Sequence, residues 1–402
     1  MQLKMRTPLW DAATRKLVSA VDHAVFRGAL TPLPTLRDPV EALTHHQRMD
    51  GMSALLGFYD RPEHFDADGP LFTRLADPQP EERRVRSYRG GHIIDLSWAS
   101  EFTPMWSAAA AETRYQELVR TRSRHGHAAR DALDRGMRVH RDLDRRLGPL
   151  PRYQAVERNR TMHARWFRHT DGPRPCAVIL HGYLGGHLAV EEHMWPIPAL
   201  FDGGMDVVLT VLPHHGPRAN PRRGLRLPDF PSSDPRWAVE GFRHMVHDHL
   251  TLFDYLLNDR VQSLGAIGMS LGGYSAALLA TIEHRLEFGI FYMPLSSIAD
   301  FARRNGRMVG SNVHQEAQTR ALDRIYRIVS PLSRPSLLSP GRAIVIAGES
   351  DMITGTAHGQ QLAAHFDACT STFAGGHILQ LGRGAALAPM WQMLRQAGLW
   401  SP

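Results

Sequence analysis

Five short apolar runs set the tightest limit on how this chain can fold. CAVIL (176–180), MDVVLTVL (205–212), LGAIG (264–268), FGIFY (288–292) and AIVIA (343–347) are each bounded by turn residues. Continuous runs of this length, without polar alternation, suit strands buried on both faces. Helix-like stretches such as WAVEGFRHMVHDHLTLFDYLLND separate them. The alternation predicts a doubly wound α/β sheet, mostly parallel, with helices on both faces. RYQAVERNRTMHARWFRH predicts two further strands around a turn near Asn159, and STF, before Ala374, a last one.

The first part of the chain reads differently. Residues 1–151 are expected to form an N-terminal extension, mainly helical, with residues 152–402 as a second, α/β domain. RKLVSAVDHAVFRGAL places Leu17, Val21, Val25 and Gly28 at helical spacing, which predicts a helix packed on a core. Prolines then punctuate a long irregular stretch, and GGHIIDLSWAS offers one short strand. From Trp106 to Leu147 a charged helical region carries a thin apolar stripe, with Gly126 and Gly136 expected to interrupt it. GPLP at 148–151 closes that region, since proline cannot continue a helix, and the boundary is placed there.

Charge narrows the partners. The formal net charge is +7, but lysine occurs only at Lys4 and Lys16, and the arginines are dispersed among acids. A phosphate-binding stripe needs basic blocks interleaved with aromatics, so no nucleic-acid partner is expected. No run approaches the roughly 18 apolar residues of a membrane span, and no signal core is evident. The expectation is a cytoplasmic chain without a transmembrane segment; peripheral membrane contact and oligomeric state stay open. Cys176 and Cys369 have no spacing that suggests a zinc site or a disulfide framework.

In a doubly wound sheet the chemistry gathers beyond the carboxyl ends of the strands. After LGAIG comes Gly268-Met269-Ser270-Leu271-Gly272, a G-x-S-x-G pentapeptide between a strand and an alanine-rich helix. Glycines at both ends allow a sharp turn that presents the Ser270 hydroxyl. A second signal is independent of the first: VILHGYLGG runs a strand into His181-Gly-x-x-Gly-Gly. This loop type turns a backbone N–H toward a substrate carbonyl oxygen, a role given to Tyr183, with Leu271 as the second N–H donor. Serine is a poor nucleophile without a base, and the base needs an orienting acid. His377, in STFAGGHILQ, and Asp351, in AIVIAGESDMITG, follow the last two strands.

With the order Ser270, Asp351, His377, the chain resembles the α/β-hydrolase superfamily, in particular its serine esterase and lipase-like members. The resemblance covers residues 152–402. It implies an eight-stranded, mostly parallel sheet and a two-step acyl transfer without a cofactor, on a small-molecule or lipid ester. Ser270 stands where the dehalogenase branch has aspartate and the polyester synthase branch cysteine, which sets both chemistries aside. The long N-terminal part and a short insertion after the sixth strand depart from the pattern.

Alternatives remain at several positions. Glu349 and Asp300 are rival acids to Asp351. His181 is expected to be structural, and His214 and His215 to line the cleft or brace a loop. His244, His247 and His249 lack an acidic or cysteine partner, so a solvated helix face is expected and no metal. Residues 299–335 occupy the usual place of a cap over the cleft. An acyltransferase, or a non-catalytic binding module on the same fold, are the competing functions.

Overall fold

The computed structural model describes residues 12–30, 40–65, 71–122, 127–147, 156–221 and 227–402. Among these, nine strands form one sheet in the order β1-β2-β3-β5-β4-β6-β7-β8-β9. They are β1 (Glu81–Tyr88), β2 (Gly91–Ala99), β3 (Thr161–His169), β4 (Pro175–Leu180), β5 (Asp206–Thr210), β6 (Ser263–Met269), β7 (Leu286–Tyr292), β8 (Ala343–Gly348) and β9 (Cys369–Phe373). From β5 to β9 every pairing is parallel, whereas β1, β2 and β3 are joined to one another and to β5 in antiparallel fashion. The five apolar runs became β4 to β8 because their side chains can be buried on both faces at once.

The N-terminal helices are α1 (Ala12–Leu30), α2 (His45–Tyr59), α3 (Ala108–Arg122) and α4 (His127–Leu147). Along the rest of the chain follow α5 (Leu188–Met194), α6 (Ile197–Asp202), α7 (Pro235–Leu257), α8 (Leu271–Leu279), α9 (Ile298–Arg304), α10 (Asn312–Tyr326), α11 (Gly355–Phe366), α12 (Arg383–Ala386) and α13 (Ala388–Gln396). One apolar core on the α7 and α8 side includes Val178, Phe242 and Tyr274. A second, containing Ile179, Phe201, Ile290 and Leu394, lies beneath α6 and α13.

Several expectations change at this level. The sheet has nine strands rather than eight, because residues 81–99 contribute two. β1, with the sequence EERRVRSY, has no apolar face to read and is exposed along nearly its whole length. Charge on an outermost strand discourages pairing with other chains. Asn159 sits in a short 3-10 turn, Glu157–Arg160, that leads into β3, the second of the two strands expected there; the first falls on residues 152–155, outside the described residues. The boundary at 151, GPLP and Gly126 lie outside the described residues. Among the described residues, Met52, Phe58, Trp106 and Met137 belong to the same buried cluster as Trp237 and Phe242. Tyr59 Oη also donates to buried Glu240, at 2.9 Å.

Gly136 does not interrupt α4. A Cβ there would lie 2.3 Å from the Asp50 carbonyl oxygen and 2.9 Å from Ala54 Cβ, so the glycine lets α2 and α4 cross closely. On α1 the face also differs from the predicted one. Leu17 is 63% exposed, and among the described side chains of α1 the buried ones are Val18 and Asp22.

The histidines of α7 are buried rather than solvated, because the N-terminal part covers His244 and His247, while His249 faces β5 of the sheet. His244 pairs with Ser100 Oγ at 2.8 Å, His247 with Thr73 Oγ1 at 3.0 Å, and His249 with Thr210 Oγ1 at 3.0 Å. Some of the basic charge is likewise internal. Arg218 pairs with Asp248 at 2.8 Å, and Arg236 with Asp234 at 2.7 Å and Asp144 at 2.8 Å.

Candidate active site

Strand order reverses at β4, which lies between β5 and β6. A crevice opens at such a switch point, outside the carboxyl ends of the strands. Four loops meet there: 181–186 after β4, the turn after β6, and those after β8 and β9.

Ser270 occupies the turn between β6 and α8 with φ 56° and ψ −113°. For a residue with a Cβ this costs on the order of 1–3 kcal/mol. Packing holds it there. The Ser270 N–H donates to the Tyr292 carbonyl at 2.9 Å, and the Ser270 carbonyl accepts from the Tyr274 N–H at 3.0 Å. A Cβ on Gly268 would fall 2.0 Å from the Gly272 carbonyl oxygen, and one on Gly272 2.1 Å from that of Leu180. Only glycine fits at either position, which is the physical content of the G-x-S-x-G pattern. Leu271 is the first residue of α8, so its N–H belongs to the donors that a helix start leaves without an intrahelical acceptor.

The 181–186 loop comes up against this turn: a Cβ on Gly182 would lie 3.7 Å from Ser270 Cβ. His181 shapes the loop. Its Nε2 accepts from the Leu212 N–H at 3.0 Å, so Nδ1 carries the proton and donates to the Gly182 carbonyl at 2.7 Å. Burial lowers the His181 pKa, favouring this neutral tautomer. Glu191 of α5 accepts from the Gly186 N–H at 3.0 Å and from Trp195 Nε1 at 3.1 Å. His215 Nε2 faces the Tyr183 carbonyl at 2.8 Å, and the Tyr183 hydroxyl donates to the Pro228 carbonyl at 3.1 Å. His214 N–H donates to Asn159 Oδ1 at 2.8 Å. The loop is therefore braced on both sides of Tyr183.

Asp351 and His377 are joined. His377 Nδ1 donates to Asp351 Oδ2 at 2.9 Å. Asp351 Oδ2 also accepts from Thr354 Oγ1 at 2.7 Å, and Oδ1 from the N–H groups of Ile353 at 2.8 Å and Thr354 at 2.9 Å. Burial would raise this carboxyl's pKa, but the His377 charge and these hydrogen bonds outweigh it and hold the group below the usual carboxylate range. The rival acids lie elsewhere. Glu349 pairs with Arg15 at 2.9 Å, and Asp300 with Arg304 at 2.7 Å.

Ser270 and His377 border one cavity of about 1690 Å³, without a hydrogen bond between them in this structure. Catalytic hydrogen bonds are often long before substrate is bound. Gln380 ties the two loops together, its Nε2 donating to Met269 Sδ at 3.3 Å and to the His377 carbonyl at 3.1 Å. Ile298, Phe301, Met308 and Leu322, from the 299–335 region and its edge, border the cavity together with Met52 and Leu55 of α2. Among the described residues, no group of three His, Cys, Asp or Glu is placed to hold a metal ion, and no helix is long and apolar enough to cross a membrane.

Reading the sequence missed Gln380, Glu191 and Thr354. Thr354 had a local signal, a hydroxyl three residues after an aspartate; Glu191 acts on neighbours four and five residues away that no pattern in the string singles out, and Gln380 reaches across 111 residues to Met269.

No model of a known protein family matches this chain. Two uncharacterized proteins, from two strains of Mycobacterium tuberculosis, are 33% identical to it over 211 residues, covering 50% of this chain and 48% of each relative. The chain thus spans about half the length of the curated relatives it matches. Among solved structures it is similar to an acetyl xylan esterase from Paenibacillus sp. R4, with a TM-score of 0.49, 13% identity, and coverage of 80% of this chain and 89% of that one. Acetyl xylan esterase 1 from Thermoanaerobacterium sp. JW/SL YS485 gives a TM-score of 0.47 and 15% identity, covering 80% of this chain and 88% of that one. A hyperthermophilic esterase from Pyrobaculum calidifontis gives 0.41 and 18%, covering 60% and 84%. The strand order reversing at β4, the strained serine turn after β6, and the linked carboxylate and imidazole after β8 and β9 make up one architecture: the chain has the α/β-hydrolase fold.

Proposed function

We propose that this chain is a serine hydrolase that cleaves a carboxylic ester through an acyl-enzyme intermediate. One observation carries the reading: a hydrogen-bonded Asp351–His377 pair and a strained Ser270 turn border the same cavity at the sheet's switch point. In this reading neutral His377 takes the Ser270 proton as Oγ attacks the ester carbonyl, and Asp351 stabilises the resulting imidazolium. The Tyr183 and Leu271 N–H groups hold the oxyanion, each worth on the order of 3 kcal/mol of barrier lowering. His377 then protonates the leaving alcohol, and water, activated in the same way, releases the acid. Ser270→Ala should lower kcat/KM for a p-nitrophenyl ester by at least about 10³-fold and abolish labelling by a fluorophosphonate probe. Wild-type turnover by the variant would overturn the assignment.

The substrate we assign is an ester with a large apolar acyl group, such as an acyl lipid. At about 1690 Å³ the cavity exceeds the roughly 300–1,000 Å³ of ordinary ligand sites. Met52, Leu55, Leu143, Phe301 and Met308 give it apolar walls. Each buried methylene is worth about 0.8 kcal/mol, or about fourfold in kcat/KM. A p-nitrophenyl ester series should therefore gain with acyl length; turnover confined to acetate would refute this substrate class. A reducing, cytoplasmic setting suits Cys176 and Cys369, both free thiols.

A further inference from the structure

We propose that Asp22, on α1, is a positioning residue that ties the Asp351 loop to the His377 loop, making the N-terminal helix part of the active site. The inference rests on the reading of Asp351 and His377 as acid and base. Asp22 is 0% exposed, and its carboxylate accepts three backbone N–H groups from these two loops. Oδ2 accepts from His377 at 2.7 Å and from Met352 at 3.2 Å; Oδ1 accepts from Ile378 at 2.9 Å. One donor is thus the base's own amide, and another belongs to the residue directly after the acid.

Independent contacts along the same helix face point the same way. Arg15 pairs with Glu349 at 2.9 Å, and Ser19 Oγ donates to the Ser350 carbonyl at 3.3 Å. Residues 15, 19 and 22 lie on one side of a helix, so successive turns of α1 are docked on the loop that carries Asp351. A Cβ on Gly376 would lie 2.5 Å from Asp22 Oδ2 and 2.8 Å from Val18 Cγ1. The residue before His377 is therefore a glycine because α1 lies against it.

A buried carboxylate is costly unless its oxygens are satisfied, and a packing helix would use an apolar residue here. What three N–H contacts accomplish, and a leucine cannot, is to hold two separate loops at a set distance. The Asp351–His377 bond spans those same loops. A misplacement of about 1 Å at such a pair costs on the order of 100-fold in rate.

The test uses Asp22→Asn and Asp22→Ala in the full chain, with Leu17→Ala on the exposed face of α1 as the control. Expected are a fall in kcat of about 10- to 100-fold with KM nearly unchanged, a smaller fall for asparagine than for alanine, and no change for the control. The low-field proton resonance of His377 Nδ1–H should shift or broaden in the same graded order. If alanine prevents folding, the asparagine variant decides alone, since it keeps an oxygen for two of the three donors. Wild-type kcat and an unmoved resonance in a folded Asp22→Asn would overturn the proposal. Should the unmodified protein hydrolyse no ester and resist fluorophosphonate, the hydrolase reading fails, while the resonance still decides whether Asp22 ties the two loops.

Discussion

Replacing Asp351 by asparagine changes one atom, and the surrounding hydrogen bonds dictate the consequence. Oδ1 faces two backbone donors, Ile353 N–H at 2.8 Å and Thr354 N–H at 2.9 Å, while Oδ2 faces Thr354 Oγ1 and His377 Nδ1. An amide can place its NH₂ on one side only. Turned toward the two N–H groups, it leaves both unsatisfied in a buried site, at about 1–3 kcal/mol each. Turned the other way it meets a hydroxyl, which can rotate to accept, and an imidazole nitrogen, which can shed its proton. The second arrangement wins by several kcal/mol. His377 must then carry its proton on Nε2, the nitrogen assigned to take the Ser270 proton. The base is present but holds the wrong tautomer, and kcat should fall on the order of 10⁴-fold, about 5.5 kcal/mol of barrier. Stopped-flow or steady-state hydrolysis of a p-nitrophenyl ester, alongside a thermal melt, measures this. A kcat within tenfold of the unmodified protein, with an unchanged melt, would refute the argument.

Acid should destabilise the fold well above the carboxylate range. Burial lowers His140 and His249 to a pKa of about 4, so both are neutral when folded yet bind a proton near 6.5 when unfolded. Their contribution is complete above about 6.5 and is lost as pH falls toward 4, on the order of 2 kcal/mol each between pH 6.5 and 5. Urea denaturation at pH 7 and pH 5 should show that loss, and equal midpoints would contradict it. Asp351, with its folded value depressed, adds stability above its unfolded value near 3.9 that disappears as pH drops through the lower folded one. Asp351→Asn should therefore flatten the most acidic limb of the unfolding curve, and an unaltered limb would count against the pairing. Gly136→Ala drives a methyl to within 2.3 Å of the Asp50 carbonyl, so the urea midpoint should fall by the equivalent of at least about 1–3 kcal/mol; an unchanged midpoint would mean that α2 and α4 do not cross as described.

Local sequence was enough wherever the physics is local. The apolar runs of β4 to β8 can hide both faces only inside a sheet, and the glycines at 268 and 272 permit one kind of turn, so strand class and Ser270 were readable as short strings. Other features are properties of neighbours far along the chain. Glu349, Asp300 and Asp351 are indistinguishable as letters; only assembly of the β8 and β9 loops put one of them 2.9 Å from His377. Charged β1 is a strand because β2 offers it an open edge, and His244 and His247 of α7 are buried because Ser100 and Thr73 cover them. Asp22 shows the limit most plainly. Nothing in RKLVSAVDHAVFRGAL distinguishes it from a solvated aspartate, and its partners lie at 352, 377 and 378. Hydrogen bonds act over about 3 Å of space and take no account of distance along the chain, so such a contact exists only once the fold has formed.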